Sequence, residues 1–241
     1  MKTKSAFWLE SDNQKACEIA HMVGYEVVIF DMEHGILDER ALDRLIPLCN
    51  EIGLQTFVRV SEATQPRIQT ALDIGAAGVI LPQIQNLAHA RVATAYSKYP
   101  PLGARGLGYG RTQSYGAASD VFITAENRDR QCYVMIETAR AFDEAKEIAA
   151  LGCVDALFIG PGDLSLARGR GVFTAQPEDM ADMKRIAAAA AANGKPWAAA
   201  AGNPQYRREA LALDPAFLTN ADDLSALLVG FRQLIHMRDP D

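Results

Sequence analysis

Ionisable side chains close several short apolar stretches of this sequence. Asp31 and His34 follow the run YEVVIF, and Arg59 lies near the end of QTFVRV. Glu137 closes CYVMIE, and Asp163 comes shortly after ALFIG. Buried strands disfavour such groups, because a charged side chain without a partner is costly away from water. If the strand ends meet, a pair of carboxylates can bind a hard cation, the imidazole can move a proton and the guanidinium can bind an anion.

Apolar stretches alternate with amphipathic ones along the chain, which is typical of strands and helices in an α/β fold. The apolar stretches are rich in Val, Ile and Phe, like strands buried on both faces. We predict eight strands, at residues 6–9, 26–31, 55–60, 78–82, 132–137, 156–160, 196–201 and 216–219. Eight strands, each followed by a helix, predict a single-domain (β/α)8 TIM barrel over residues 1–241, with a doubly wound sheet as the alternative.

A Gly-rich segment over about residues 100–130 interrupts this alternation between the fourth and fifth predicted strands. Loops of that length inside a domain are commonly lids or binding loops, so we expect this segment to be functional.

The spacing of the ionisable residues places them at one end of the predicted barrel. Arg59 follows Asp31 by 28 residues and Asp163 follows Glu137 by 26, each about one strand-and-helix unit. Active sites of TIM barrels lie at the carboxyl ends of the strands. These side chains are therefore expected on one rim.

Glu137 and Asp163 close neighbouring predicted strands and form the best candidate metal site. Two close carboxylates repel unless a proton or a cation joins them, and their oxygens suit Mg²⁺ or Mn²⁺. Alternatively, Glu137 could pair with Arg140, and Asp163 could cap the helix LSLAR. Their matched positions at adjacent strand ends favour the metal.

His34 is the one histidine of four that follows a strand end, where a neutral imidazole could act as a general base. Alternatively, it forms hydrogen bonds within its own turn. Arg59 either pairs with a carboxylate such as Asp31 or binds an anionic substrate, and the two roles are compatible.

Composition and absent motifs exclude several classes of function. The net charge of −6 disfavours binding to nucleic acid or anionic lipid. The chain start lacks the apolar core of a secretory signal, and no apolar run reaches transmembrane length. The four cysteines show no zinc spacing and indicate reduced thiols in the cytoplasm. No lysine closes a predicted strand, which argues against a Schiff base, and no phosphate-binding glycine loop follows the last two strands.

Six motifs occur together in a specific order and spacing: VVIFDMEHG, FVRV, ALDIGAAGVILPQIQN, YPPLGARGLG, MIET and FIGPGDLS. From about residue 6 to 170 the sequence closely resembles the HpcH/HpaI-type class II pyruvate aldolases, which act on 4-hydroxy-2-oxo acids and 2-keto-3-deoxy sugar acids. The resemblance implies a TIM barrel and a homohexamer built as a trimer of dimers, with the C-terminal helix in subunit contacts. It also implies a divalent cation, Mg²⁺ or Mn²⁺, with Co²⁺ or Zn²⁺ as alternatives.

The resemblance implies roles for individual residues of the motifs. Glu137 and Asp163 hold the metal, and the backbone around Gly162 and Asp163 helps hold the substrate carboxylate. Arg59 steadies the keto or enolate oxygen, and His34 is the base, acting through water.

The remaining residues of the implied site support this centre. Asp73, in the LDIG motif, pairs with His34 of a neighbouring subunit. Asp31 supports Arg59 and a water network, and Trp8 and Phe158 shape the pocket.

The chain departs from the family pattern at two places. Met135 stands where many relatives have Gln beside the keto group, and residues 219–222 read TNAD where a Gly-Ser-Asp-like segment is usual. Glu33 has no assigned role.

The predicted activity is metal-dependent, reversible aldol cleavage of a 4-hydroxy-2-oxo acid to pyruvate, or a close 2-oxo acid, and an aldehyde. Two alternatives are a citramalyl- or malyl-CoA-type carbon–carbon lyase and a non-catalytic barrel that binds 2-oxo acids.

Overall fold

Eight parallel strands close into a barrel in the computed structural model, which describes residues 2–237. Each strand pairs with its neighbour in the chain, and the eighth pairs with the first. The strands are β1 (Lys4–Leu9), β2 (Val27–Asp31), β3 (Gln55–Arg59), β4 (Gly78–Leu81), β5 (Gln131–Ile136), β6 (Ala156–Ile159), β7 (Trp197–Ala200) and β8 (Phe217–Asp222). The predicted barrel is confirmed; residues 1 and 238–241 of the predicted domain lie outside the described residues.

Eleven α-helices and one short 3-10 helix, Arg111–Gln113, connect the described strands. The α-helices are α1 (Gln14–Met22), α2 (Glu39–Glu51), α3 (Gln65–Ile74), α4 (Leu87–Ala95), α5 (Asp120–Asp129), α6 (Ala139–Asp143), α7 (Ala145–Ala149), α8 (Pro161–Ala167), α9 (Pro177–Ala191), α10 (Pro204–Leu211) and α11 (Asp223–His236). No helix within residues 2–237 is long and apolar enough to cross a membrane.

The predicted loop over about 100–130 is too long, because its last third is helix α5. The Ser119 hydroxyl caps that helix by accepting a hydrogen bond from the Phe122 N–H. The glycine-rich part that remains is held by Arg105, whose fully buried guanidinium pairs with Asp73 at 2.6 Å and Glu126 at 3.1 Å. This part of the chain is therefore an anchored segment.

The interior of the barrel explains why polar groups meet at one end. Side chains in a strand alternate between its two faces. Val27 and Ile29 of β2 lie in the interior cluster with Phe57 of β3. Continuing the alternation turns Asp31 and Arg59 inward at the carboxyl ends, and the strand register places them side by side. The same alternation on β5 leads to Glu137.

Candidate active site

The carboxyl ends of the strands enclose a cavity of about 190 Å³. Its lining residues are Trp8, Glu10, Asp31, Arg59, Met135, Glu137, Gly160, Pro161, Gly162, Asp163 and Ala200. A larger groove of about 350 Å³ lies between α1 and α11, but it contains none of the predicted catalytic residues. The chemistry is therefore assigned to the smaller cavity.

Glu137 lies almost fully buried at the end of β5, with 2 % of its surface exposed. Its Oε1 accepts a hydrogen bond from the backbone N–H of Gln83 at 2.5 Å. Gln83 has a left-handed backbone, with φ of 52°, which turns that N–H toward the carboxylate. The alternative pairing of Glu137 with Arg140 is wrong, because Arg140 pairs with Glu144 at 3.1 Å.

Burial raises the pKa of Glu137 to about 7, and the nearby charges of Glu33 and Asp163 add to the effect. The Gln83 N–H and the charge of Arg59 lower this pKa and offset part of the rise. The raised pKa means that the protein only partly compensates the negative charge of ionised Glu137. A bound cation would compensate the rest.

The raised pKa of Glu137 should make the metal-free protein less stable as the pH rises. Between its usual value of 4.5 and about 7, the folded state holds a proton that the unfolded chain has released. The free energy of unfolding should therefore fall through this window. Urea denaturation in EDTA at pH 5 and pH 8 measures the change, and Glu137→Gln should show a smaller decline. Equal declines in the two proteins would contradict the assignment.

Asp163 is the third residue of α8, where its carboxylate lies half-buried against the cavity. The prediction that it caps this helix is wrong, because the N-cap is Gly160 and no side chain forms a capping hydrogen bond. Gly160 allows the Glu137 side chain to lie against the backbone: a Cβ there would lie 2.8 Å from Glu137 Oε2. Glycine at this position therefore makes room for Glu137.

Glu137 and Asp163 fit a hard divalent ion by donor type. Both offer carboxylate oxygens, and neither carboxylate is paired with a cationic side chain within 4 Å among residues 2–237. No group of three or more potential ligands occurs in the described chain. A metal held here would therefore keep positions for substrate and water oxygens, as a catalytic site requires.

Arg59 faces the same cavity and is held on three sides. Its Nε donates to Asp31 Oδ1 at 2.9 Å, and a second hydrogen bond joins Nη2 to Asp31 Oδ2. Its Nη1 lies 3.2 Å from Glu33 Oε2, and the guanidinium sits 4.6 Å from the centre of the Trp8 ring. Burial opposes its charge, but the bond to Asp31 raises its pKa overall. A fixed cation therefore faces the carboxylates, and the predicted Asp31–Arg59 contact is confirmed.

His34 stands at the edge of this centre, with 61 % of its side chain exposed. Its Nε2 is 3.9 Å from Glu33 Oε2, and its backbone N–H donates to Asp31 Oδ1 at 3.2 Å. The next residue, Gly35, has no room for a side chain, because a Cβ there would collide with backbone oxygens, including that of Glu10 at 2.8 Å. The imidazole is thus placed to exchange protons with water at the mouth of the cavity.

Three predicted site residues lie outside the cavity lining: His34 at its edge, Asp73 and Phe158. Asp73 sits on α3 and pairs with Arg105, so its contact with a neighbouring subunit stays a prediction. Phe158 is fully buried below the cavity, and its ring centre lies 5.7 Å from that of Trp8 in an edge-to-face arrangement. It supports the lining residue Trp8, whose Nε1 donates to Thr219 at 2.9 Å.

Sequence reasoning missed two contributors, the backbone of Gln83 and the side chain of Glu10. A backbone donor leaves no trace in residue type. Glu10, however, follows the first strand just as Asp31 closes the second, and the same argument could have found it.

Known proteins that resemble this chain are aldolases and members of one family. The sequence profile of the HpcH/HpaI aldolase/citrate lyase family matches residues 4–210. The chain is 32% identical to 2-dehydro-3,6-dideoxy-6-sulfogluconate aldolase of Pseudomonas putida, over 95% of this chain and 89% of that protein. It is 27% identical to a hydroxypyruvate/pyruvate aldolase of Cupriavidus necator, over 94% and 85%. A solved HpcH/HpaI aldolase/citrate lyase family protein from Burkholderia cenocepacia superposes with a TM-score of 0.89 at 28% identity, covering 98% and 94% of the two chains.

Proposed function

Since the chain belongs to the HpcH/HpaI aldolase/citrate lyase family, it is a carbon–carbon lyase of the aldolase type, and we propose that it cleaves a 4-hydroxy-2-oxo acid reversibly to pyruvate, or a close 2-oxo acid, and an aldehyde. One observation carries the proposal: the carboxylates Glu137 and Asp163 share a small cavity with the fixed guanidinium Arg59. A cation site beside a fixed positive charge suits a reaction in which negative charge develops on an oxygen.

Glu137 and Asp163 are the residues that would hold the divalent metal on which this class of aldolase depends. The bound ion supplies Lewis-acid stabilisation of charge at the keto oxygen of the 2-oxo acid. We propose Mg²⁺ or Mn²⁺, because both donors are carboxylates and no cysteine or histidine lies among the described cavity residues. Co²⁺ and Zn²⁺ remain alternatives for the same donors.

Arg59 stabilises the negative charge that appears on the keto oxygen when the carbon–carbon bond breaks. Nε and Nη2 of Arg59 donate hydrogen bonds to Asp31, and these two bonds fix the orientation of the guanidinium. Because the guanidinium is already oriented, little reorganisation is needed as the charge develops. Gly162 and Asp163 lie in the first turn of α8, where the free backbone N–H groups suit the substrate carboxylate.

His34 moves the protons of the reaction. In cleavage a base removes the proton of the 4-hydroxyl, and the methyl group of pyruvate later gains one. The exposed imidazole reaches the substrate through water. Trp8 closes one wall of the cavity and keeps Arg59 in place by stacking.

His34→Ala should lower the rate of aldol cleavage by about 10²–10⁴-fold, the usual contribution of a general base. The fold should persist, because the imidazole is exposed and makes no close hydrogen bond from its ring among the described residues. Steady-state release of pyruvate, measured beside the melting temperature, checks both expectations. Undiminished release would remove His34 from the mechanism.

Exchange of the methyl protons of pyruvate into deuterated solvent tests the proposed function without knowledge of the aldehyde. NMR should show enzyme-dependent exchange with Mg²⁺ or Mn²⁺ and loss of exchange after dialysis against EDTA. Binding of pyruvate without exchange would favour the non-catalytic alternative. Activity only on CoA thioesters would favour the citramalyl- or malyl-CoA alternative, although Arg59 is the single cationic side chain among the described lining residues.

We also propose that the protein assembles as a homohexamer, a trimer of dimers, through α11. Asp223 is the one buried residue of this described helix. Its large exposed apolar side chains are Leu224, Leu227, Leu228, Val229, Phe231, Leu234 and Ile235. Such a surface suits contact with another subunit, and a measured mass of one subunit would refute the proposal. The four cysteines are free and buried, which supports the proposed cytoplasmic location.

A further inference from the structure

Glu10 is a cavity-lining carboxylate without a part in the proposed mechanism. It follows β1, and its backbone N–H is fixed by Asp223 at 2.8 Å. Its own carboxylate forms no hydrogen bond or ion pair with residues 2–237. Burial, with the charges of Asp222 and Asp31, raises its pKa. The side chain therefore lies near the acids of the cavity and is free to meet a ligand.

The position of Glu10 in the barrel assigns it to the aldehyde end of the substrate. The metal-binding candidates Glu137 and Asp163 follow β5 and β6, whereas β1 stands on the opposite side of the closed ring. With the 2-oxo acid end of a substrate against Glu137 and Asp163, its remaining carbons would extend across the mouth toward β7, β8 and β1.

The wall formed by these three strands offers few polar partners. Its lining residues are Ala200, Trp8 and Glu10. Ala200 is apolar, and the single N–H of Trp8 is already donated to Thr219. A hydroxyl on the aldehyde fragment can therefore donate to Glu10, which has acceptor capacity to spare.

The charge of the cavity also selects the aldehyde. The lining contains four carboxylates, Glu10, Asp31, Glu137 and Asp163, against one guanidinium. Even a bound divalent ion leaves the lining negative, and the carboxylate of the 2-oxo acid adds a further negative charge. A second anionic group at the aldehyde end would face Glu10, and Arg59, the one cationic side chain of the described lining, is already paired with Asp31 and Glu33.

We propose that the aldehyde partner is an uncharged hydroxyaldehyde and that Glu10 selects it, by accepting a hydrogen bond from its hydroxyl and repelling anionic aldehydes. This inference rests on the proposed function and adds the class of the acceptor and a residue that determines it.

Pairs of matched aldehydes, condensed with pyruvate, test the inference. Glycolaldehyde and glyoxylate differ by a hydroxyl against a carboxylate, and lactaldehyde and propionaldehyde differ by one hydroxyl. The wild type should prefer the first member of each pair by at least about tenfold in kcat/KM. Glu10→Gln should reduce the preference for glycolaldehyde over glyoxylate by about tenfold, because it removes the repelling charge. Glu10→Ala should also erase the preference for lactaldehyde.

Glu18→Gln is the matched control, since it removes an equal charge from the exposed face of α1, where Glu18 bonds to Gln14 at 2.9 Å. Both preferences should stay at the wild-type value. A wild type that uses glyoxylate as well as glycolaldehyde, or an unchanged ratio in Glu10→Gln, overturns the role of Glu10. Methyl-proton exchange of pyruvate without any aldehyde distinguishes a failure of the proposed function from a failure of the role of Glu10. If the wild type shows no exchange, both the proposed function and the role of Glu10 are overturned. If it does exchange these protons, a failed aldehyde test overturns only the role of Glu10.

Discussion

Glu137→Gln should lower metal-dependent turnover by about 10³-fold or more, the largest loss expected of any single change in this protein. The amide keeps the shape of the side chain and can still accept the Gln83 N–H, but it removes the charge that would hold the cation. Asp163→Asn should behave in the same way. Calorimetric titration with Mn²⁺, beside the rate of pyruvate release, measures the loss of the ion and of the activity together.

Glu147→Gln serves as the control for both substitutions. Glu147 lies exposed on α7, so this variant removes one negative charge from the molecule and leaves the cavity intact. It should bind Mn²⁺ and release pyruvate like the wild type. Wild-type affinity for Mn²⁺ in Glu137→Gln, or full wild-type activity after exhaustive treatment with EDTA, would contradict the metal assignment.

Arg59→Lys should lower kcat/KM by about 10²–10³-fold, although it keeps a positive charge. An ammonium cannot reproduce the paired hydrogen bonds to Asp31, so the positive charge is no longer held at a fixed point in the cavity. Arg59→Ala should be as inactive and also less stable by about 3 kcal/mol, because Asp31, 1 % exposed, is left without its cation. Steady-state kinetics and urea denaturation report the two effects.

A double variant separates the loss of activity from the loss of stability. Asp31→Asn combined with Arg59→Met removes both charges of the buried pair, and neutral replacement of such a pair is often tolerated. Its stability should return toward the wild-type value, whereas turnover should not recover. Recovery of turnover in the double variant would show that Arg59→Ala failed through the fold alone and that Arg59 has no role in the chemistry.

Most of the barrel could be predicted from the sequence, because its strands are buried on both faces and appear as separate apolar runs. Two local features escaped for physical reasons. Helix α5 follows a glycine-rich segment that indicates a loop, and the sequence signal for the start of the helix is its cap, the single residue Ser119. The chain between β5 and β6 forms two short helices, α6 and α7, that meet at Glu144, whose carboxylate accepts the Leu87 N–H and pairs with Arg140.

The part of the site that lies at the ends of strands could be predicted from the sequence. Spacing along the chain brought Asp31 to Arg59 and Glu137 to Asp163, because one strand-and-helix unit separates the members of each pair. Contacts made from loops were not accessible in this way. The pairing of Asp73 with Arg105 joins a helix to a loop 32 residues later, and no periodic pattern indicates it.

Because the left-handed backbone of Gln83 orients Glu137, selection at position 83 should act on backbone conformation and not on side-chain chemistry. The donor is a main-chain N–H, so the hydrogen bond does not depend on which side chain stands at position 83. In a library of all residues at this position, survivors should be sorted by backbone preference. Gly and Asn, which accept a positive φ, should be enriched, and Val, Ile and Pro should be lost. Natural variation there would follow the geometry of the turn, while the carboxylate that it aims stays constant.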